Sequence, residues 1–481
     1  MKKILAIDQG TTSSRAIVFS DAGEVLYTAQ KELKLITPQS GWVEQNPDDI
    51  LKDTMWCVRQ CLDNHPDIKA IGITNQRETT ILWNRKTGRA IYNAIVWQDR
   101  RTSEYCTSLK GYDVMVREKT GLRLDPYFSA TKINWILKNV KDARIQADRG
   151  ELAFGTIDSF LLWHLTGGQV HATDMSNASR TLLFNIQTLG WDEDLLKCFD
   201  IPKSLLPEVR ENISDFGQFE NIPITGIAGD QQAALIGQAC FKEGMIKSTY
   251  GTGCFMLMNI GGSPKLSKHQ LLTSIGYVIN GKATYVLEGS IFVAGAAIQW
   301  LRDEMEFFKD AGESEKCAKS VNDTDGVYFV PAFTGLGAPY WNPDVRGAIF
   351  GLTRGTTKAH IIRAALEAQA YQTKDLMEAM IADSEIQPSV LRIDGGLVKN
   401  EFMAQFLSDM LNVKIDIPKS VETTALGAAY LAGIGAGIIR GFEDIEEKWQ
   451  CDKAFAPSFN QEKRRKLYTG WAGAVKKLLA V

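Results

Sequence analysis

Asp8-Gln9-Gly10-Thr11-Thr12-Ser13-Ser14-Arg15 near the start of the chain and Tyr250-Gly251-Thr252-Gly253 near its middle are hydroxyl-bearing glycine turns, each behind a short strand-like run. Glycine lets a tight turn bring backbone N–H groups and flanking hydroxyls up to an anion with no Cβ in the way. Either turn alone also reads as a plain hairpin. As a pair half a chain apart, they are what a phosphate clamp between two related halves needs. Asp8 closes the apolar run Ile4-Leu5-Ala6-Ile7, where it is placed to hold a hydrated magnesium ion facing those phosphates. No stretch reads G-x-x-x-x-G-K-[ST], which argues against a P-loop. Gly433-Ile434-Gly435-Ala436-Gly437 follows a helical pattern rather than a strand and reads as helix packing and termination.

Moving a phosphoryl group onto a hydroxyl takes a base for the acceptor, donors on the phosphates and a cleft poor in water. Asp230, in Gly229-Asp230-Gln231-Gln232, leaves a buried-looking strand and is the candidate base. Capping the helix that begins at Gln231 is a second role open to it. Arg77 and Glu78 are adjacent and opposite in charge, so one offers donors and the other acceptors, as a small polyol requires. A surface ion pair is the competing reading. Trp97 and Tyr127 are candidates to wall such a pocket or to fill the core. Gly395-Gly396 after a strand, with Asn400 opening the next helix, suits backbone approach to a nucleotide base or a plain strand-to-helix turn. The five histidines form no H-E-x-x-H or Cys/His cluster, so no zinc site is expected.

The elements that must position these groups repeat along the chain. The first half predicts strands at Lys3–Ile7, Arg15–Phe19 and Glu24–Ala29. A helix follows, with Asn46 as N-cap, Pro47 at N1 and an apolar stripe of Leu51, Met55, Val58 and Leu62. The strand Lys69–Thr74 delivers Asn75-Gln76-Arg77-Glu78-Thr79, and the strand Ile224–Ala228 delivers Asp230. Helices are predicted at Ser129–Val140 and Thr156–Leu165. The second half restarts with strands Met245–Thr249 and Phe255–Asn259, a hairpin over Ser274–Glu288 around Asn280-Gly281, and a helix near Val293–Met305. After these come a helix at Ala359–Ala382, a strand at Val390–Ile393, a helix at Asn400–Leu411, a strand at Val413–Ile417 and a small-residue helix at Glu422–Gly433. The fold class is α/β: two lobes on one plan, residues 1–247 and 248–481, closing on a cleft.

Length and charge agree with that reading. The 481 residues suffice for two large cores. Lys+Arg at 54 against Asp+Glu at 57 gives a net charge of −3, with no basic field to draw nucleic acid or an anionic membrane. The eight scattered cysteines read as reduced thiols of a cytoplasmic protein. No targeting segment or membrane insertion is indicated.

Together these motifs resemble the FGGY carbohydrate kinases of the actin-like ATPase superfamily, and within them the members that act on glycerol. The resemblance runs from Ile4 to about Trp471 through Asp8–Arg15, Gly41–Pro47, Asn75–Thr79, Trp97–Arg101, Asp125–Lys132, Ser176–Arg180, Gly229–Ala234, Tyr250–Phe255 and Phe333–Trp341. It implies two actin-like (ribonuclease H-like) lobes and ATP-dependent phosphorylation of glycerol to sn-glycerol 3-phosphate. Another polyol or a ketose is the alternative substrate, and a non-catalytic ATP-binding module is a more distant rival. By position it makes Arg77, Glu78, Trp97, Tyr127, Asp230, Gln231 and Phe255 the polyol site, with Asp230 as base. Thr11, Thr12, Ser13, Arg15 and Thr252 take the phosphate positions, Gly295, Gln299, Gly396 and Asn400 the adenosine side, and Asp8 faces Mg2+. ATP and glycerol are the implied small-molecule partners, and a homo-oligomer, dimer or tetramer, is expected. One departure is visible: many bacterial members carry a Gly-rich, Arg-bearing regulatory loop before the strand leading to the catalytic aspartate, whereas here only Phe219–Thr225 separates Gly217-Gln218 from Gly226.

Overall fold

The computed structural model describes residues 1–480 and contains two large mixed sheets of matching design. The first is built from β1 (Lys3–Gln9), β2 (Ser13–Ser20), β3 (Val25–Glu32), β4 (Ile68–Asn75) and β5 (Ile222–Gly229), in the order β3-β2-β1-β4-β5, with the two-residue strand Gln218–Phe219 on the outer edge of β5. β1, β2 and β3 form an antiparallel meander, while β4 runs parallel to β1 and β5 parallel to β4. The second sheet contains β6 (Met245–Tyr250), β7 (Cys254–Asn259), β8 (Leu272–Ile279), β9 (Lys282–Ile291), β10 (Val390–Asp394), β11 (Ile415–Pro418) and β12 (Cys451–Phe455). Its centre, β9-β7-β6-β10-β11, repeats the first: an antiparallel meander, then two parallel strands. The β1–β2 turn and the β6–β7 turn therefore occupy equivalent places.

Helices cover the sheets as the apolar spacing requires. In α1 (Pro47–Asn64) the Asn46 side chain accepts from the Asp48 N–H, and Ile50, Cys57, Val58 and Cys61 are buried on one face. The stripe thus includes the two thiols, which donate to the carbonyls of Ser14 and Ala16 on β2. The second half supplies α3 (Gly295–Asp303), α4 (Lys358–Ser384), α5 (Glu401–Leu411) and α7 (Gln461–Leu479). α3 starts two residues later than its pattern predicts, because Ala294, with φ of −109° and ψ of −96°, is not helical, and its N–H donates to the Thr252 carbonyl of the β6–β7 turn.

Two short helices, α2 (Asp230–Gly237) and α6 (Thr423–Gly435), join the halves. α6 comes from the second half yet lies on β1, β4 and β5, while α2 follows β5 and reaches β6, β7 and β8. They cross through glycines: a Cβ on Gly237 would stand 1.9 Å from the Thr423 carbonyl oxygen, and one on Gly427 1.8 Å from that of Ala233. Ile4, Phe19, Leu235, Leu257, Val286, Leu426 and Leu431 share the apolar core around this crossing. The segment before β5 is a tight hairpin, Gln218–Phe219 against Ile222–Pro223. Glu220 and Asn221 have φ of 49° and 67°, as a two-residue hairpin turn of the primed type demands. Among the described residues no helix is long and apolar enough to cross a membrane.

Candidate functional site

β4 and β5 end side by side, with Asn75 opposite Gly229, so the residues that follow them meet. Arg77 directs Nε to Asp230 at 3.1 Å and grips Glu288 of β9 with Nη1 and Nη2 at 2.7 and 3.0 Å. Gly229 makes room for this, since a Cβ there would stand 2.8 Å from Cγ and Cδ of Arg77. Glu78 pairs with Arg180 at 2.5 Å, and Arg180 reaches Glu288 at 3.1 Å and Ser274 Oγ at 3.1 Å. Two arginines and three carboxylates from both lobes thus form one network, and all but Asp230 are fully buried. The side chain of Asp230 keeps 31% of its surface open, so it is the carboxylate of the network that a bound molecule can reach.

Burial raises the Glu288 carboxyl, but the Arg180 and Arg77 charges outweigh that and hold it down at about 2. For Asp230 burial wins over Arg77 and Lys247, and the carboxyl lies above its ordinary range. Glu78 is raised for the same reason, against the pull of Arg180 and Arg77. The Glu78 backbone has φ of 60°, a left-handed conformation rare for this residue type. Its carbonyl accepts from Thr80 Oγ1 at 3.0 Å, Ser129 Oγ at 3.1 Å and Lys132 Nζ at 3.2 Å.

An aromatic strip borders the charges. Trp97 meets Tyr127 edge-on at 5.6 Å and Phe255 at 6.2 Å, and the Arg180 guanidinium lies 5.5 Å from the Tyr127 ring. Gln231 accepts from the buried Lys247 ammonium, and its own N–H donates to the Asp230 carboxylate at 2.7 Å; Asp230 is the first residue of its helix, whose N-cap is Gly229, so the capping role is not the one it takes. All seven residues expected at the polyol site stand in this one connected region. Arg180, Lys247, Gln232 and Glu288 belong to it too, although the sequence did not single them out. Lys247 and Glu288 left a signal, as lone charges inside apolar strands.

The two glycine turns flank the region. Gly10 N–H closes the first on Ser13 O, and Gly251 N–H closes the second on Gly253 O, both at 2.9 Å. The Trp97 indole N–H donates to Thr11 Oγ1 at 2.9 Å, which ties the aromatic strip to the first turn and leaves the Thr11 hydroxyl proton free to donate. Thr12 and Thr252 are exposed, and Ser13 is half-buried. Arg15 is bound to Asp8 on one side and to Glu422 at 2.7 Å on the other. Gly295 donates its N–H to Gly251 O at 3.0 Å, and Gly395 packs on Tyr250, so Gly295 and Gly396 both border the second turn. Gln299 is exposed one helical turn beyond Gly295. Asn400 is buried as the N-cap of α5, accepting from Met403 N at 3.0 Å and donating to Ser314 Oγ at 3.2 Å.

A hard divalent cation takes oxygen ligands, and the floor beside the first turn supplies them. The Asp8 carboxylate is 5% exposed, and Thr74, its register partner on β4, has a buried hydroxyl without a hydrogen-bond partner. The Asp8 oxygens and the unpartnered Thr74 hydroxyl are the donors that suit a cation there, and Arg15, paired with Asp8, competes with it for the carboxylate. The arrangement as a whole can orient hydroxyls with paired charges, accept a proton at Asp230 and hold an anion between two sets of backbone N–H groups.

Comparison with known proteins agrees with this geometry. The model of the N-terminal domain of the FGGY family of carbohydrate kinases matches residues 3–237, and that of the C-terminal domain matches residues 246–436. A glycerol kinase of Nitrosomonas eutropha is 59% identical over 99% of this chain and 98% of its own length. One from Bacillus cytotoxicus is 56% identical over 98% of each. The crystal structure of Plasmodium falciparum glycerol kinase with ADP superposes with a TM-score of 0.95, at 39% identity over 100% of this chain and 98% of that one. A Lactobacillus acidophilus xylulose kinase, 23% identical with a TM-score of 0.89, shares the fold. With both domain models matched in order on two sheets of one strand plan, this chain belongs to the FGGY family of carbohydrate kinases.

Proposed function

We propose that this protein transfers the γ-phosphoryl group of ATP to a terminal hydroxyl of glycerol, giving sn-glycerol 3-phosphate and ADP. The observation that carries the reading is the contact of Arg77 with Asp230 beside Glu78 and the Trp97–Tyr127–Phe255 strip. A triol offers hydroxyls to the charges and a short carbon chain to the aromatic rings. Identities of 59% and 56% to glycerol kinases over nearly the whole of both chains support the same substrate.

Arg77 and Glu78 orient the hydroxyls, and Tyr127 and Gln231 complete the polar lining. Asp230 takes the proton of the attacking hydroxyl as its oxygen forms a bond to the γ-phosphorus and the bond to the ADP oxygen breaks. The N–H groups of the two turns, with the hydroxyls of Thr11, Thr12, Ser13 and Thr252, hold the phosphates. Arg15 supplies charge beside them. Gly295, Gln299, Gly396 and Asn400 border the adenosine. Asp8 would hold Mg2+, which would supply neutralising charge for the phosphates. The lobes, residues 1–247 and 248–481, close to exclude water from the transferring group. Eight unpaired cysteines support a reducing cytoplasm as the setting. A homo-oligomer, dimer or tetramer, belongs to the same reading and is checked by sedimentation.

Release of ADP from ATP is measured with glycerol, longer polyols, ketoses and no acceptor. Glycerol gives the highest kcat/KM, and the rate without acceptor is negligible. Preferred use of a ketose overturns the glycerol assignment, and acceptor-independent ADP release at the full rate overturns the transfer reaction.

A further inference from the structure

Three fully buried glutamines from separate segments converge behind the first glycine turn: Gln9 on β1, Gln45 before α1 and Gln76 after β4. Gln9 Nε2 donates to Gly10 O at 2.7 Å, and Gln45 Nε2 to Thr11 O at 2.6 Å. Gln76 Nε2 lies 3.2 Å from Gly10 O, 2.8 Å from Gln45 Oε1 and 3.1 Å from Gln9 Oε1. Thr79 Oγ1 donates to Gln76 Oε1 at 2.9 Å and in turn accepts from the Trp97 N–H at 3.3 Å. Burying three primary amides is costly unless each is bonded. Here their partners are one another and the carbonyls of the turn.

The consequence follows from peptide planarity. In a trans peptide the C=O of one residue and the N–H of the next point in opposite directions. Drawing the Gly10 and Thr11 carbonyls onto glutamine amides turns the Thr11 and Thr12 N–H groups the other way. Among the described residues neither of those N–H groups donates a hydrogen bond. An unclamped turn could flip either peptide and present a carbonyl oxygen to the phosphate, which replaces attraction with repulsion.

We infer that Gln9, Gln45 and Gln76 are positioning residues that lock the peptides of the first turn with their N–H groups toward the phosphates of ATP. Because Gln76 precedes Arg77 and Glu78 directly and shares Thr79 with Trp97, the clamp also sets the spacing between the phosphates and the polyol. The inference rests on the proposed kinase reading and deepens it.

The test compares Gln45→Met, Gln76→Met and Gln76→Glu with the unaltered protein, in steady-state kinetics and in equilibrium binding of a nonhydrolysable ATP analogue. Loss of the clamp raises KM for ATP and the analogue's Kd by about tenfold or more, while Kd for glycerol moves less than about twofold. Gln76→Glu adds a signature that lost packing does not give. Its carboxylate faces three oxygens and cannot donate, whereas the protonated acid can, so its kcat/KM for ATP relative to the unaltered protein climbs as pH falls from about 8 to 6. Should Gln76→Met fail to fold, Gln45→Met carries the comparison, since it removes only the hold on Thr11 and one acceptor for Gln76. Variants that melt earlier but keep the ATP KM of the unaltered protein, or a Gln76→Glu ratio flat with pH, overturn the inference. An unaltered protein that releases no ADP with glycerol refutes the kinase reading instead, and analogue binding still reads the clamp.

Discussion

The β1–β2 turn and the β6–β7 turn sit at equivalent places in sheets of one strand order, but different groups hold them. Side-chain amides of Gln9, Gln45 and Gln76 take the carbonyls of the first. Main-chain N–H groups take those of the second: Gly295 donates to Gly251 O at 3.0 Å, and Ala294 and Ala296 to Thr252 O at 2.9 and 3.1 Å. Both solutions turn the carbonyls inward. The first depends on which side chains are present, and the second on how closely two backbones approach. Single substitutions should therefore damage the two turns by different routes.

The largest effect is expected where the lobes share one residue. Asp230 leaves the first sheet, contacts Arg77 of its own lobe and lies in the field of Lys247 on β6. Asp230→Asn keeps the size and loses the base, so kcat should fall by about 10²–10⁴ with melting temperature and analogue binding retained. Because burial raises the Asp230 carboxyl, the unaltered protein should lose rate as pH falls through that raised value and the base takes up a proton. Asp230→Asn should lack that acid limb. A variant with the kcat of the unaltered protein, or an unchanged limb, removes Asp230 from the reaction.

Next is the tie between the lobes at Glu288, a second-lobe carboxylate on two first-lobe arginines. Glu288→Gln leaves Arg77 and Arg180 buried with less compensating charge, and breaking such a pair costs about 3–5 kcal/mol. The acid dependence follows from the sign of the shift: a carboxyl held at about 2 in the folded state and near 4.5 in the unfolded chain adds stability above 4.5. That contribution fades as pH falls from 4.5 toward 2. Denaturant melts should show a gap between the two proteins that is widest at neutral pH and narrows through that window. A gap independent of pH would assign the loss to shape rather than charge.

The second turn was more legible in the sequence than the first. The Gly395-Gly396 pair beside it stands out by type after an apolar strand, while Gly295 entered only through the family resemblance. Asp230, Arg77 and Glu78 were legible because charge clusters follow predicted strands. The glutamines were not, since Gln9, Gln45 and Gln76 carry no charge and no periodic signal, and only the folded chain brings positions 9, 45 and 76 together. Arg180 was hidden similarly, 102 positions from its partner Glu78, and Glu288, though a lone charge in an apolar strand, gave no sign of its partner Arg77, 211 positions away. The crossing of α2 and α6 was also invisible, because the small-residue pattern of α6 says that something packs closely but not what.

Gly395→Ala tests the backbone route at the second turn. Gly395 has φ of 97°, and a Cβ there would stand 2.4 Å from the Tyr250 carbonyl oxygen. That φ with ψ of 174° is open to glycine almost alone and costs another residue roughly 1–3 kcal/mol. Overpacking against backbone adds about 1–3 kcal/mol. The melting temperature should drop and KM for ATP should rise together, since the displaced strand end carries the turn. A rise in KM with no loss of stability would mean that the glycine contacts ligand rather than spacing the backbone.

The smallest effect is expected at Gly10, and it is the sharpest check on the contrast. Gly10 does not need a positive φ, and a Cβ there would meet only Ser13 O at 3.5 Å, an ordinary contact. At Gly295 the equivalent atom would fall 2.5 Å from Gly251 O. Gly10→Ala should therefore change stability by no more than about 0.5 kcal/mol. KM for ATP should rise less than after Gly295→Ala, because the glutamines still hold both carbonyls. The pair is measured side by side, in ATP titrations and thermal melts on the same preparation. If Gly10→Ala proves as damaging as Gly295→Ala, the first turn also depends on close backbone approach, and the division between a side-chain clamp and a main-chain clamp collapses.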